Sequence, residues 1–286
     1  MTGVRRPVRG VRPPAWRERI VVHERAIRDG LRMAAVIGSA GILVFAWSMP
    51  PDASYDTYAY YVARLSDPYV VSSAGEPGAF LYSPVVAQVL EPLRQLPWTI
   101  FHEVWVAVSL AALWYLVGPV LLVPTLVLWP FTLVELGFGN VNLWLAAAVV
   151  AGMRHPATWA LVLLTKVTPG IGLLWFVVRR EWRSLGLIAA VTAAIAGVSL
   201  VVAPSLWRDW VDVLVANQEA GPTALPPPLI VRLPAAALTV VWGARTDRAW
   251  TVPLAAALAI PVLSIVNLSM LVGVVAVLRR TGWRPC

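Results

Sequence analysis

Long apolar runs separated by short polar or proline-rich breaks fill most of this chain. They fall at about residues 33–49, 80–97, 100–117, 120–134, 141–153, 157–178, 185–202, 229–242 and 250–278. A membrane-spanning helix needs roughly 20 predominantly apolar residues, and several of these runs are too short or too interrupted by proline for a simple crossing. The pattern predicts an all-α protein, a polytopic membrane helix bundle of about 8–10 membrane segments, some short or broken. Two polar excursions stand out, residues 50–79 and 204–228. The first opens on Pro50-Pro51, which ends the preceding helix. Residues 52–66 then lack glycine and proline, so a helix along the membrane surface is expected there, with Tyr55, Tyr58, Tyr60, Tyr61 and Tyr69 suited to the interface.

The run at 157–178 is unusual. Arg154-His155 precedes it, Arg179-Arg180 follows it, and Lys166 and Pro169 sit at its middle. If both basic flanks lie on one side, the run is two half-helices meeting at a break inside the membrane, where irregular backbone survives only buried in protein or facing a cavity. A single crossing is the competing reading. The final third is equally open: Arg248 and Arg279 both favour the same side, and the apolar stretch between them has room for one full span or two short ones.

Composition agrees with the pattern. Only 13% of the 286 residues are charged, 59% are hydrophobic and the mean hydropathy is +0.72, against roughly 25% charged residues in soluble domains. One bilayer-embedded unit over residues 33–280 is expected, between an arginine-rich segment, 1–32, and a short tail, 281–286. The net charge of +8 does not point to nucleic acid. Arg5, Arg6, Arg9, Arg12, Arg17, Arg19, Arg25, Arg28 and Arg32 precede the first apolar run, and further clusters, Arg179, Arg180 and Arg183, then Arg279, Arg280 and Arg284, follow later runs. This is the positive-inside distribution, without the aromatic interleaving of single-strand binders. It places the N-terminus in the cytoplasm, with a retained signal anchor rather than a cleaved leader, and the loop at 50–79 outside. That loop carries Asp52, Asp56, Asp67 and Glu76 against Arg64. Cys286 is the only cysteine, so no internal disulfide forms.

Candidate chemistry concentrates in the loops and breaks. Asp52 and Asp56 are four apart, so in one helix they share a face with Tyr60. Asp52, directly after Pro-Pro, suits an N-cap. Asp56, amid tyrosines whose rings could carry a sugar, suits a general base. Lys166 is the only lysine among 23 basic residues and lies within an apolar run. A charge there costs about 2.5–3.5 kcal/mol on insertion scales and marks a functional position by default. An ion pair with Glu135 or Glu91 is the plainer alternative. Asn140 and Asn142 follow Gly137-Phe138-Gly139 and enter an apolar run, where they either cap the helix or bind a polar ligand at its positive end. His102-Glu103 reads as a solvated cytoplasmic pair. No spacing suits a zinc site or a phosphate loop, so no metal or cofactor is expected.

Taken in order, these landmarks resemble glycosyltransferase family 87, polyprenol-phosphate-mannose-dependent mannosyltransferases of the GT-C membrane fold. The residues that carry the resemblance are Asp56-Thr57-Tyr58-Ala59-Tyr60-Tyr61 with Asp67-Pro68-Tyr69, then Phe80-Leu81-Tyr82-Ser83-Pro84 leading to Glu91-Pro92-Leu93, then Gly139-Asn140-Val141-Asn142, then Lys166-Val167-Thr168-Pro169 with Arg179-Arg180-Glu181-Trp182-Arg183. Ser83 stands where the family usually has proline and Asn140 where it usually has glutamine. The resemblance implies a polyprenyl-phosphate sugar donor from the bilayer, a lipid or glycan acceptor from outside, and inverting transfer. Asp56 would be the base and Lys166 the cation on the donor phosphate, with Asp52, Tyr60, Tyr82, Asn140 and Asn142 as substrate contacts. A transporter and a non-catalytic membrane scaffold are the rival classes; a transporter should show internal repeats, and none is evident in the sequence.

Overall fold

The computed structural model describes residues 15–71, 73, 76–217 and 225–281, with side chains from residue 22 onward. Arg5, Arg6, Arg9, Arg12, Arg284 and Cys286, and the side chains of Arg17 and Arg19, therefore lie outside the described residues. The described residues contain thirteen α-helices and no strand. Four helices are long and apolar enough to cross a bilayer: α1 (Ala15–Trp47, its apolar part from Val22), α4 (Trp98–Leu128), α9 (Trp182–Val202) and α11 (Leu229–Thr246). Their outer faces are apolar, with Val201 84% and Ile230 81% exposed. Such surface on helices of spanning length suits lipid, and the chain is a multi-pass membrane protein.

Between the long helices lie short ones. α2 (Tyr55–Val62) and α3 (Pro84–Arg94) sit between α1 and α4. α5 (Phe131–Phe138) and α6 (Asn142–Gly152) form a pair bent by 112°. α7 (Trp159–Thr165) and α8 (Leu174–Val178) flank the break at Lys166, with a 3-10 stretch, Thr168–Leu173, leading into α8. α10 (Pro204–Ala216) follows α9. α12 (Thr251–Leu258) and α13 (Val272–Arg280) complete the bundle, joined through a second 3-10 stretch, Val266–Leu271.

The hydrogen bonds show which ends meet. The Trp98 indole donates to Met49 O, and the Tyr61 hydroxyl to Leu96 O. The start of α4 therefore lies beside the end of α1, at the end of the bundle that carries α2. Further along, Trp114 donates to Ser39 Oγ, so the two helices run antiparallel. His102 is consequently not a solvated residue at the opposite end. It is fully buried, with Nε2 2.8 Å from Ser54 Oγ and Nδ1 3.1 Å from Ala46 O. The positive-inside argument misplaced it because α3 does not cross the bundle: its amphipathic face packs on α2, α4 and α9, and the chain turns back at the same end.

The run at 157–178 folds back on itself as a hairpin. Trp159 packs against Phe176 with ring centroids 6.3 Å apart, and Gly170 and Gly172 leave no room for a Cβ against Leu163 and Trp159. In one straight helix Trp159 and Phe176 would be roughly 25 Å apart at about 1.5 Å rise per residue. The turn falls at Lys166, whose backbone is extended (φ −136, ψ 113). The final third makes a second hairpin. Gly273 of α13 lies against Pro253 of α12 and Ala146 of α6, and both legs lead to arginines, Arg245 and Arg248 before, Arg279 and Arg280 after. Arg232 clamps its turn: buried, it donates to Pro227 O, Leu258 O, Ile260 O and Pro261 O at 2.5–3.0 Å.

Candidate active site

The tips of both hairpins, the bend between α5 and α6, and α2 converge on one polar cluster. Gly139 makes the convergence possible. It ends α5 in the left-handed conformation (φ 75, ψ 30), which glycine adopts without a steric penalty, and a Cβ there would collide with Thr57 Oγ1 of α2. The bend thus brings Asn140 beneath Asp56. Asn140 Nδ2 donates to Asp56 Oδ2 at 2.9 Å, and its Oδ1 accepts from Lys166 Nζ at 3.2 Å. One amide bridges the carboxylate to the lysine, 26 residues further along the chain.

Lys166 also donates to Asn142 Oδ1 at 3.2 Å and lies 5.9 Å from the centre of the Tyr82 ring. The Tyr60 and Tyr82 hydroxyls are 2.8 Å apart, and Tyr60 stacks on Trp105 at 4.5 Å. These tyrosines form an apolar wall with two hydroxyls beside the Asp56–Lys166 pair. Asp56 belongs to α2, outside the spanning helices. Burial raises its carboxyl above the ordinary aspartate range, opposed by the Asn140 hydrogen bond and the charge of Lys166.

Asp52 stands apart. It lies in a 3-10 turn, Pro51–Ala53, and the chain breaks at Ser54 (φ −113, ψ 77) before α2 begins. The two aspartates therefore do not share a continuous helix face, and Asp52 does not cap α2. It is exposed and lines an outer groove of about 450 Å³ with Pro51, Tyr55, Tyr58 and Pro77. The asparagines are not simple caps either. Glu135 caps α6, its Oε1 accepting from Asn142 N at 2.7 Å and Leu143 N at 3.2 Å. Nor is Lys166 in a direct ion pair among the described residues: Glu91 pairs with Arg94 at 2.6 Å, and Glu135 reaches the lysine only through Asn142.

Four contributors carried no sequence signal strong enough to single them out as part of the site. Asn267 Nδ2 donates to Asn142 Oδ1 at 3.3 Å, and its own Oδ1 accepts from Ser264 N and Oγ. The Ser269 hydroxyl lies 3.1 Å from Glu135 Oε2. Ser83 Oγ donates to Leu164 O, tying the chain before α3 to the leg of the first hairpin. Among the described residues no group of three or more His, Cys, Asp or Glu could hold a metal ion.

A half-buried lysine bridged to a half-buried carboxylate, inside an all-helical membrane bundle, is the setting in which the comparisons with known proteins become specific. The model of glycosyltransferase family 87 matches residues 80–285, from just before Tyr82 to beyond the second hairpin. The chain belongs to this family. A protein of Mycolicibacterium smegmatis described as polyprenol-phosphate-mannose-dependent alpha-(1-2)-phosphatidylinositol pentamannoside mannosyltransferase is 27% identical over 221 residues, covering 66% of this chain and 54% of the relative. The chain thus spans about half the length of that curated relative. No solved structure matches it. The matched family 87 region contains Tyr82, Glu135, Asn140, Asn142, Lys166 and Asn267, and begins after Asp56.

Proposed function

We propose that this family 87 protein is a membrane glycosyltransferase that moves a hexose, mannose by analogy with the relative's name, from a polyprenyl-phosphate donor to an acceptor outside the cytoplasm, with inversion. The single observation that carries the reading is the Asp56–Asn140–Lys166 bridge. It sets an anionic group and a cationic group on either side of one amide, beside a wall of tyrosines. In the reaction an acceptor hydroxyl oxygen forms a bond to the anomeric carbon while the bond from that carbon to the phosphate oxygen breaks. Asp56 takes the hydroxyl proton, and the electron pair leaves on polyprenyl phosphate. Lys166 stabilises the negative charge growing there, an effect strongest in a water-poor site.

Asp56's raised pKa suits this work, since a base is most effective with a pKa near the operating pH. Tyr60 and Tyr82 face the sugar, and Asn140 and Asn142 fix the lysine. Asp52 serves the acceptor from the outer groove. The N-terminus and the arginine-rich end of the bundle are assigned to the cytoplasm, and the Asp56 end to the outer face of the plasma membrane. Residues 33–280 form the transferase unit, between the basic segment 1–32 and the tail 281–286.

The test is transfer of radiolabel from polyprenyl-phosphate-mannose to lipid acceptors in membranes. Asp56→Asn should lower the rate by about 10²–10⁴-fold, the usual worth of a general base, with normal expression. For the wild type, the rate should fall as pH is lowered through the raised carboxyl pKa, because only the ionised form accepts the proton. Folding gains nothing from that ionisation. A carboxyl whose pKa is raised by folding opposes folding as pH rises through the folded value, so Asp56→Asn should be as heat-stable as the wild type or more so. Equal transfer by both proteins would remove Asp56 from the mechanism.

A further inference from the structure

Glu135 is the most deeply buried carboxylate of the site, with no exposed surface, and proton transfer and leaving-group stabilisation leave it without a task. Its surroundings specify one. Both oxygens are acceptors: Oε1 holds Asn142 N and Leu143 N, and Oε2 holds Asn142 Nδ2 at 3.0 Å, with the Ser269 hydroxyl at 3.1 Å. An asparagine side chain can present either its oxygen or its NH₂ in a given direction. Because a carboxylate accepts only, Glu135 takes the NH₂ of Asn142, and the Asn142 oxygen must then point the opposite way. There it accepts from Lys166 Nζ at 3.2 Å and Asn267 Nδ2 at 3.3 Å, both of which can only donate. Each of these contacts pairs a donor with an acceptor in this orientation, and the reversed amide would set NH₂ against the ammonium.

We infer that Glu135 is a positioning residue: it locks the orientation of the Asn142 amide so that its oxygen holds the Lys166 ammonium in place for a phosphate. The inference rests on the proposed role of Lys166 as the phosphate-binding cation. Asn142 is the relay, and the tip of the second hairpin, through Asn267 and Ser269, holds the relay from the side opposite α2. A carboxylate is required because an amide in its place would itself present an NH₂ to Asn142.

The test measures binding of polyprenyl phosphate, the leaving group alone, to the full chain in lipid nanodiscs, so that its outcome does not depend on transfer. Glu135→Gln keeps shape and volume but offers NH₂ to Asn142, which must turn its oxygen toward the new amide and its NH₂ toward Lys166. Affinity should fall by about tenfold or more, the scale of one charge-assisted hydrogen bond, with the melting temperature within a few degrees. Adding Asn142→Asp should restore affinity to within about threefold of wild type. The introduced carboxylate accepts from the new amide on one side and from Lys166 and Asn267 on the other. A purely structural role for Glu135 predicts no such rescue.

Failure of the double variant to rescue, or unchanged affinity in a folded Glu135→Gln, overturns the inference. If Glu135→Gln alone does not fold, a folded double variant with near wild-type affinity still supports it, and one with lost affinity overturns it. Lys166→Ala separates this inference from the reading beneath it. If wild type and Lys166→Ala bind polyprenyl phosphate equally, the phosphate role of Lys166 fails and the inference falls with it. If Lys166→Ala loses binding and Glu135→Gln keeps it, only the role of Glu135 is overturned.

Discussion

The two hairpins have the same construction and different chemistry. Each rises as a short helix from the arginine-rich end, breaks, continues through a six-residue 3-10 stretch and descends through a short helix to a pair of arginines, Arg179-Arg180 in one and Arg279-Arg280 in the other. The first presents a lysine at its tip, bonded to Asn140 and Asn142. The second presents neutral groups, Ser264, Asn267 and Ser269, that bond Asn142 and approach Glu135 without reaching Lys166 itself. One hairpin supplies a charge and the other supplies its support. A buried cation is costly to leave without fixed partners, so the support is as much a condition of the site as the charge.

The construction itself is open to an all-or-none test. With Cys286 replaced, single cysteines introduced at Glu181, Asp247 and Thr281 should all label from one face of the membrane, and one at Asp52 only from the other. Labelling of Asp247 and Thr281 from opposite faces would turn the second hairpin into a single span and end the comparison. Next in size is the charge. Lys166→Met should reduce transfer by about 10²–10³-fold, the usual worth of one group that stabilises developing negative charge. Its thermal stability should also fall, since removing the ammonium leaves the Asp56 and Glu135 carboxyls without their neighbouring cation.

The smallest expected effect belongs to the support. Asn267→Ala removes one donor to Asn142 and leaves Ser264 N and Oγ without their acceptor. This should cost about 1–3 kcal/mol of stability and lower transfer roughly tenfold, read as a shifted melting curve together with a raised donor KM. An effect of Asn267→Ala as large as that of Lys166→Met would mean that the second hairpin contacts the substrate directly.

The first hairpin was one of the two readings that the chain left open. A lone lysine, a proline and basic residues on both flanks spoke for a break but did not exclude a single crossing. The second hairpin left both counts open because its tip residues are small and neutral and cost little in an apolar run. Among the site residues, Asp56, Lys166, Asn140 and Asn142 were visible as polar groups in apolar or aromatic surroundings, and the structure joins all four. Asp52 was placed with them on the assumption of an unbroken helix, which the turn at Ser54 removes. His102 was assigned to the wrong end because charge rules count arginines near membrane crossings, and α3 makes no crossing.

Apolar run length and arginine placement determined by themselves that this chain is a helical membrane bundle, because a bilayer imposes length, apolarity and charge asymmetry on every segment that enters it. They also marked a lysine in an apolar run as a group in need of a purpose. Only the tertiary structure decided which partners meet it. Gly139 lets α2 close on the bend between α5 and α6, and two hairpins from different thirds of the chain bring Lys166 and Asn267 to the same asparagine. Hydrogen bonds reach about 3 Å, while the partners lie 24 to 125 residues apart along the chain. At that separation local propensity carries no information about contact, and the packing of the helices alone selects it.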